Sequence, residues 1–226
     1  MSENKTLYLA IIADIIDSKS IEKRNEVQVN LKEILNNINE KYKDAIASNF
    51  TITLGDEFQG VLHKGSDVMT ILETIQKEMH PIALRFGIGL GTISTALDPK
   101  LSLGADGKAY HQARKMIIEV KNIEKQKMKP KTNILIGIEG NERIAKHLNT
   151  ILKLSWAIQS TWSNRQREII AEVQKTGGTQ TDIAKTLGIV QSSVQKSLAN
   201  SQYYTFIEAM EHISESLAKL MEESNV

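Results

Sequence analysis

Leu54-Gly55-Asp56-Glu57-Phe58-Gln59-Gly60-Val61-Leu62 is the stretch that decides the fold of this chain. Apolar residues alternate with polar ones from Phe50 to Leu54, and apolar residues return directly after the two acidic ones. A glycine ahead of two acidic residues is typical of a tight turn. The pattern therefore predicts a β-hairpin with Asp56 and Glu57 at its tip.

A second pair of carboxylates follows an apolar run near the N-terminus. Residues 6–16 are almost continuously apolar, which is typical of a strand buried on both faces of a sheet, and Asp14 and Asp17 lie at its end. If this strand lies beside the hairpin, the carboxylates form a hard-oxygen site suited to Mg²⁺ or Mn²⁺. The predicted metal ligands are Asp14, Asp56, Asp17 and Glu57. The alternative is that all of them are turn residues facing water.

Length and composition restrict the class of protein. A chain of 226 residues has room for one large domain or two smaller ones. The formal net charge of +1 argues against a generally basic nucleic-acid coat protein, so any basic surface is local. Because there are no cysteines, disulfides, thiolate catalysis and cysteine-based zinc sites are excluded. No apolar run approaches the roughly 20 residues that span a bilayer. We therefore expect a cytoplasmic protein with no membrane partner.

The first 160 residues alternate between strand and helix patterns. Apolar residues recur at helical spacing between Val27 and Tyr42, which predicts a long amphipathic helix ahead of the hairpin. The segments predicted after the hairpin are a helix from 65 to 80, a strand over 82–95, a helix over 109–122, a strand over 134–138 and a helix over 142–159. This βαββαβ order with additions predicts a ferredoxin-like, or palm, antiparallel sheet.

Three glycines, Gly87, Gly89 and Gly91, alternate along the predicted strand 82–95. Glycine within a strand costs about 0.5–1 kcal/mol, so three on one face need a reason. The flat face admits a ligand or a partner backbone, or it accepts a tightly packed helix, and the sequence leaves these alternatives open. A cluster of lysines further along the chain either lies in a solvated loop or attracts phosphates. Its members are Lys121, Lys125, Lys127, Lys129 and Lys131.

Three short blocks resemble those of class III nucleotidyl cyclases: Ile-Ile-Ala-Asp-Ile at 11–15, Leu-Gly-Asp-Glu-Phe at 54–58 and Leu-Arg-Phe-Gly-Ile-Gly-Leu-Gly at 84–91. The Gly-Asp-Glu-Phe block is also similar to diguanylate cyclase domains. The resemblance implies that Asp14 and Asp56 hold two metal ions over a nucleoside triphosphate. Two metal ions suit phosphoryl chemistry because they activate a hydroxyl and neutralise charge on the phosphates.

The glycine-led helix after these blocks resembles the one that carries transition-state residues in the cyclases. The resemblance implies nucleotide-binding roles for Gly55, Arg114, Lys115 and His111. His111 occupies the place of a catalytic Asn, and the cyclase Arg falls on Lys115, with Arg114 one place early. Ile52 replaces the base-selecting Lys of many purine cyclases. Since Lys does not replace Arg at a bidentate phosphate contact, these departures favour nucleotide binding over standard cyclisation.

Over nearly its full length the chain resembles the SatD family of bacterial proteins. The segments that carry this resemblance are 13–18, 55–60 and 104–110. The resemblance implies no particular reaction.

A different pattern begins at residue 161, which predicts a second domain over 161–226 after a first over 1–160. Ser163 with Gln166 predicts a capping box for a first helix, and Thr179 begins a second helix. Gly188 then provides a turn before a third helix that starts at Gln191. The pattern resembles the helix-turn-helix of sigma-factor region 4 and LuxR-type regulators.

That resemblance implies contact with DNA through the outer face of the third helix, because Gln and Lys read base edges and Ser contacts phosphate. The predicted DNA-binding residues are Gln191, Ser192, Gln195, Lys196 and Arg165, with Arg167 adding backbone contacts. The alternative is a helix-turn-helix used only for packing or protein contact.

The last predicted helix carries an apolar seam of Phe206, Met210, Ile213, Leu217 and Leu220 at 4-3-4-3 spacing. The seam either pairs two protomers of a homodimer or docks against its own domain. Two functions follow from the whole pattern. The preferred one is a DNA-binding regulator of the SatD type whose palm domain binds a nucleotide, a divalent metal or both. The alternative is a metal-dependent, cyclase-like nucleotide-processing enzyme whose helix-turn-helix serves assembly or localisation.

Overall fold

The computed structural model describes residues 6–128 and 131–223, so Lys129 of the lysine cluster lies outside the described residues. The five strands are β1 (Leu7–Ile15), β2 (Ile46–Leu54), β3 (Glu57–Leu62), β4 (Leu84–Thr92) and β5 (Ile134–Ile138). The α-helices over the described residues are α1 (Arg24–Lys41), α2 (Val68–Met79), α3 (Lys108–Glu124), α4 (Glu142–Ser160), α5 (Asn164–Thr176), α6 (Gln180–Thr186), α7 (Gln191–Asn200) and α8 (Tyr203–Glu223).

The strands form one sheet in the order β2-β3-β1-β4-β5. The first four follow the predicted βαββαβ order, and all pairings among these four are antiparallel. The prediction of a mixed α+β fold is confirmed. The fifth strand departs from a purely antiparallel sheet because β5 pairs parallel with β4. A parallel neighbour requires a long crossover, and α3 supplies it.

The central strand β1 is buried on both faces. Leu9 and Ile11 pack in the large apolar cluster with residues of α1, α2 and α4. Ala10 and Ile12 pack on the other side with residues of α3, including Ala113. Helices therefore cover both faces of the sheet, which explains why the first strand is a continuous apolar run rather than an alternating one.

The three alternating glycines of β4 lie directly under α3. A Cβ at Gly87 would come within 2.6 Å of the Ile117 nitrogen, and a Cβ at Gly89 would overlap the Ala109 carbonyl oxygen. A Cβ at Gly91 would lie 2.9 Å from the Ala109 nitrogen. Tight helix packing, the second alternative for this face, is therefore what the fold uses.

The first three helices after residue 161, α5, α6 and α7, lie where the sequence predicts them. Capping boxes join Ser163 to Gln166 at the start of α5 and Thr179 to Asp182 at the start of α6. Gly188, with φ of 63°, makes the turn between α6 and α7. The predicted boundary at 160/161 falls between α4 and α5, and one buried apolar cluster continues across it. The assignment as a DNA-binding helix-turn-helix domain stays a prediction.

The seam of α8 docks inside the same chain. Phe206, Ile213 and Leu217 are buried, and the helix packs against α2 and α4. The Met69 backbone N–H donates to the Ser214 hydroxyl at 3.4 Å. Intramolecular docking thus takes up the seam, and a homodimer through other surfaces stays a prediction. Across the described residues, no helix combines the length and apolarity needed to cross a membrane.

Candidate functional site

Asp14 lies near the end of β1 with a charged residue opposite it on each side. The sheet register places Glu57 of β3 and Arg85 of β4 directly across from it. Asp14 is only 5% exposed because β1 is the middle strand and α3 covers this end of the sheet. The first strand therefore lies beside the hairpin, as predicted, and brings Asp14 next to Glu57.

Both oxygens of the Asp14 carboxylate have cationic partners. Arg85 Nη1 donates to Asp14 Oδ1 at 3.0 Å, and Lys121 Nζ pairs with Asp14 Oδ2. Arg85 also bonds Glu124, with Nε at 2.8 Å from each carboxylate oxygen and Nη2 at 2.7 Å. Burial works to lower the pKa of Arg85, but its hydrogen bonds to Glu124 and Asp14 outweigh burial and raise it.

Glu57 is held by a bidentate pair. Arg114 Nη1 and Nη2 donate to the two Glu57 oxygens at 2.6 and 2.8 Å, and these bonds raise the pKa of Arg114. Paired N–H···O bonds of this kind are strong because both partners are ionised. We call the six residues of this network the charged cluster: Asp14, Glu57, Arg85, Arg114, Lys121 and Glu124.

The sequence singled out three members of the charged cluster for a site: Asp14, Glu57 and Arg114. It placed Lys121 only in a basic run, and it gave Arg85 and Glu124 no role. One feature could have pointed to Arg85 as a member of the site: it lies on the same face of β4 as the glycines that α3 covers. A polar side chain on that face must meet a partner on the helix above it.

The two remaining predicted metal ligands lie around the same strand ends. Asp56 is half-buried in the hairpin turn, where its backbone carbonyl accepts from the Ile15 N–H at 3.2 Å. Asp17 is exposed beyond β1 in a left-handed conformation with φ of 52°. Within residues 6–128 and 131–223, no group of three or more acidic or histidine side chains is arranged to hold a metal ion.

The donor chemistry suits a hard divalent ion, but the arrangement is not a ready metal site. Asp14 and Glu57 are already neutralised by cationic side chains. The Asp56 carboxylate forms neither a hydrogen bond nor an ion pair with any residue of the described ranges. Mg²⁺ or Mn²⁺ would be held by Asp14 with Asp56 only after Lys121 releases Asp14.

Three of the predicted nucleotide-binding residues, Gly55, His111 and Lys115, make no ion pair with the charged cluster. Gly55 has φ of 62°, and its carbonyl accepts from Gln28 Nε2 at 2.6 Å. His111 is exposed, with Nε2 at 3.1 Å from Asp106. Lys115 is exposed on α3. Of the four predicted residues, only Arg114 belongs to the charged cluster.

The residues predicted to contact DNA are exposed on the C-terminal helices. The four on α7 are Gln191, Ser192, Gln195 and Lys196, and Arg165 lies on α5. Two of them already have partners in the chain. Gln191 Nε2 donates to Gln180 Oε1 at 2.7 Å, and Arg165 pairs with Glu168.

A family model described as the SatD family matches residues 8–217 of this chain. No curated protein sequence matches this chain.

Solved structures with a similar arrangement include a bacterial light-regulated adenylyl cyclase (14% identity, TM-score 0.41, covering 70% of this chain and 81% of that one). Another is the guanylate cyclase domain of RhGC from Catenaria anguillulae in complex with GTP (15% identity, TM-score 0.34, covering 50% of this chain and 72% of that one). A third is the regulator of polyketide synthase expression from Bifidobacterium adolescentis (10% identity, TM-score 0.31, covering 99% of this chain and 81% of that one). At these scores the likenesses assign no activity or ligand to this chain.

Proposed function

Since the chain belongs to the SatD family, and since membership brings no reaction with it, we propose a function from its own side chains. The sheet part binds a nucleoside triphosphate together with a divalent cation, as a cyclase-like nucleotide-processing site. The observation that carries this proposal is the charged cluster, in which carboxylates and cations alternate across β1, β3, β4 and α3.

The charged cluster is balanced, so it suits two incoming ligands of opposite charge. Arg114 and Lys121 are 46% and 39% exposed, and both can turn toward a phosphate. When they do, they free the carboxylates of Glu57 and Asp14. A divalent ion bound there would neutralise charge on the phosphates. Arg85, only 13% exposed, stays in place and keeps Asp14 oriented.

The residues around the charged cluster favour binding, or a reaction other than standard cyclisation. His111 is engaged with Asp106, and Lys115 stands where the cyclases that the sequence resembles carry an Arg. A lysine offers a point charge rather than a planar pair of donors, so it holds a phosphate less specifically. Product analysis after incubation with ATP or GTP and Mn²⁺ separates binding from turnover.

Arg114→Ala is expected to weaken binding of ATP or GTP in Mg²⁺ by about tenfold or more. A hydrogen bond to a charged group contributes about 1.5–3 kcal/mol, and Arg114 has two donors in reach of the site. Isothermal titration calorimetry on the full chain measures the affinity with and without Mg²⁺. Lys196→Ala, an exposed cation on α7, is the matched control and should bind as the wild type does. Equal affinity in the two variants, or no nucleotide binding by the wild type, would contradict the proposal.

A second function, DNA binding, is favoured by the outer face of α7. The four α7 residues predicted to contact DNA are exposed after the Gly188 turn, and one of them is the cation Lys196. Residues 161–206 carry five Lys or Arg against three Asp or Glu, which is a modest excess for a DNA-binding unit.

Lys196→Ala is expected to weaken binding to duplex DNA of any sequence and to reduce the salt slope by about one. Fluorescence anisotropy with a labelled duplex over a salt series measures both quantities, and Arg114→Ala is the control. DNA binding that is absent, or that is unaffected by salt, would exclude this second function.

A further inference from the structure

A cavity of about 650 Å³ lies between the sheet part and the C-terminal helices, and no residue of the charged cluster lines it. Its walls come from α2, the start of β4, the end of α4, α5 and α8. Three aromatic side chains, Trp156, Trp162 and Phe206, line it together with Leu84 and Ile170. Small-molecule sites typically have volumes of about 300–1,000 Å³ and mainly apolar, aromatic walls.

Glu73 of α2 contributes to the wall of this cavity, and one of its carboxylate oxygens lacks a hydrogen-bond partner. Its Oε2 accepts from Gln174 Nε2 at 3.3 Å, whereas its Oε1 is buried and has no partner. No other buried side-chain oxygen or nitrogen in the described ranges lacks a partner. Burial, with Glu211 nearby, raises the pKa of Glu73 to about 7. A buried carboxylate is costly to ionise unless a donor or a cation pairs with it.

Two cationic side chains in the walls, Lys77 and Arg167, each donate a hydrogen bond to a backbone carbonyl of the chain. Lys77 Nζ donates to the Ala171 carbonyl at 2.9 Å. Arg167 Nη2 donates to the Gln159 carbonyl at 2.9 Å and lies over the Trp162 ring at 5.9 Å. The buried polar atom that lacks a partner, Glu73 Oε1, is an acceptor, so a ligand that pairs with it must donate.

We propose that this cavity binds a small aromatic amine, with its ring among Trp156, Trp162 and Phe206 and its protonated nitrogen paired with Glu73. Aromatic side chains stabilise both an apolar ring and a nearby cation. Such a ligand contacts α2 of the sheet part and α5 of the C-terminal part at once. It would therefore stabilise their association.

Three indole probes of matched shape test this proposal on the full chain by calorimetry at pH 8: cationic tryptamine, neutral N-acetyltryptamine and anionic indole-3-propionate. Tryptamine is expected to bind at least about tenfold more tightly than the other two, a difference of about 1.4 kcal/mol. Glu73→Gln keeps the shape and removes the charge, so it should abolish the preference. Trp156→Leu should weaken both tryptamine and its neutral analogue. Glu119→Gln, an exposed carboxylate on α3, is the control.

The pH dependence gives a test that does not rely on any variant folding. The charged and titratable groups around Glu73 are Glu211 and Tyr203 of α8, with Lys77, His80, Arg167 and Glu168 in the walls of the same cavity. Because burial raises the pKa of Glu73 to about 7, tryptamine should bind more tightly at pH 8 than at pH 6, and N-acetyltryptamine should not change. Equal binding of the two probes, a preference for indole-3-propionate, or no binding of any indole would overturn the proposal.

Discussion

Gly89→Ala is expected to destabilise the protein by about 3 kcal/mol or to prevent folding. The new Cβ would overlap the Ala109 carbonyl oxygen and the Ala113 nitrogen, both backbone atoms of α3. Overpacking a well-packed core costs about 1–3 kcal/mol, occasionally more, and backbone atoms cannot move aside as a side chain does. The midpoint and slope of urea unfolding, followed by circular dichroism, measure the loss.

Gly178→Ala is the matched control for this substitution. Its Cβ would meet the Thr176 hydroxyl at 3.3 Å as the nearest atom, so we expect a change within about 1 kcal/mol. Similar midpoints for the two variants would show that α3 is not packed on β4 as closely as described here.

Arg85→Leu is expected to destabilise the protein by about 3–5 kcal/mol. Removing one partner of a buried ion pair leaves uncompensated charge, and Arg85 bonds two carboxylates, Asp14 and Glu124. Lys121 still pairs with Asp14, so most of the loss arises at the junction of β4 and α3. Urea unfolding at neutral pH measures the change.

Arg165→Leu removes a comparable Arg–Glu pair at the surface. Arg165 and Glu168 are about half exposed, and ion pairs in water contribute only about 0–1 kcal/mol. Equal losses for the two arginine variants would mean that the charged cluster adds no more to stability than a surface pair. The charged cluster would then serve ligand binding alone.

Local chemistry made several elements of this protein predictable. Gly55 adopts φ of 62° in the turn that the hairpin pattern requires, and the two strands end on either side of it. Ser163 and Thr179 cap their helices as predicted, since a capping box is formed by residues only three positions apart. The βαββαβ order follows from such signals, because the apolar period distinguishes strand from helix.

Partners distant in the sequence were not predictable in the same way. Asp14 meets Arg85 because of the register between β1 and β4, and it meets Lys121 because α3 crosses this end of the sheet. An isolated carboxylate in the sequence carries no sign of which cation neutralises it. Ion pairs therefore connect Asp14 and Glu57 to cationic side chains where the sequence predicted a metal site, and metal binding there stays a prediction.

The sequence by itself determined which faces of the strands and helices are apolar, glycine-lined or charged, because residues on one face recur at a fixed period. Only the tertiary structure decided what covers each face: α3 over Gly87, Gly89 and Gly91, and the chain's own α2 and α4 against the seam of α8. The same holds for the cavity beside Glu73, whose walls combine α2 with α4, α5 and α8 from much later in the chain. The physical reason is that the removal of apolar area from water drives burial, and this driving force has no direction. An apolar face therefore indicates that something covers it, but not which partner does.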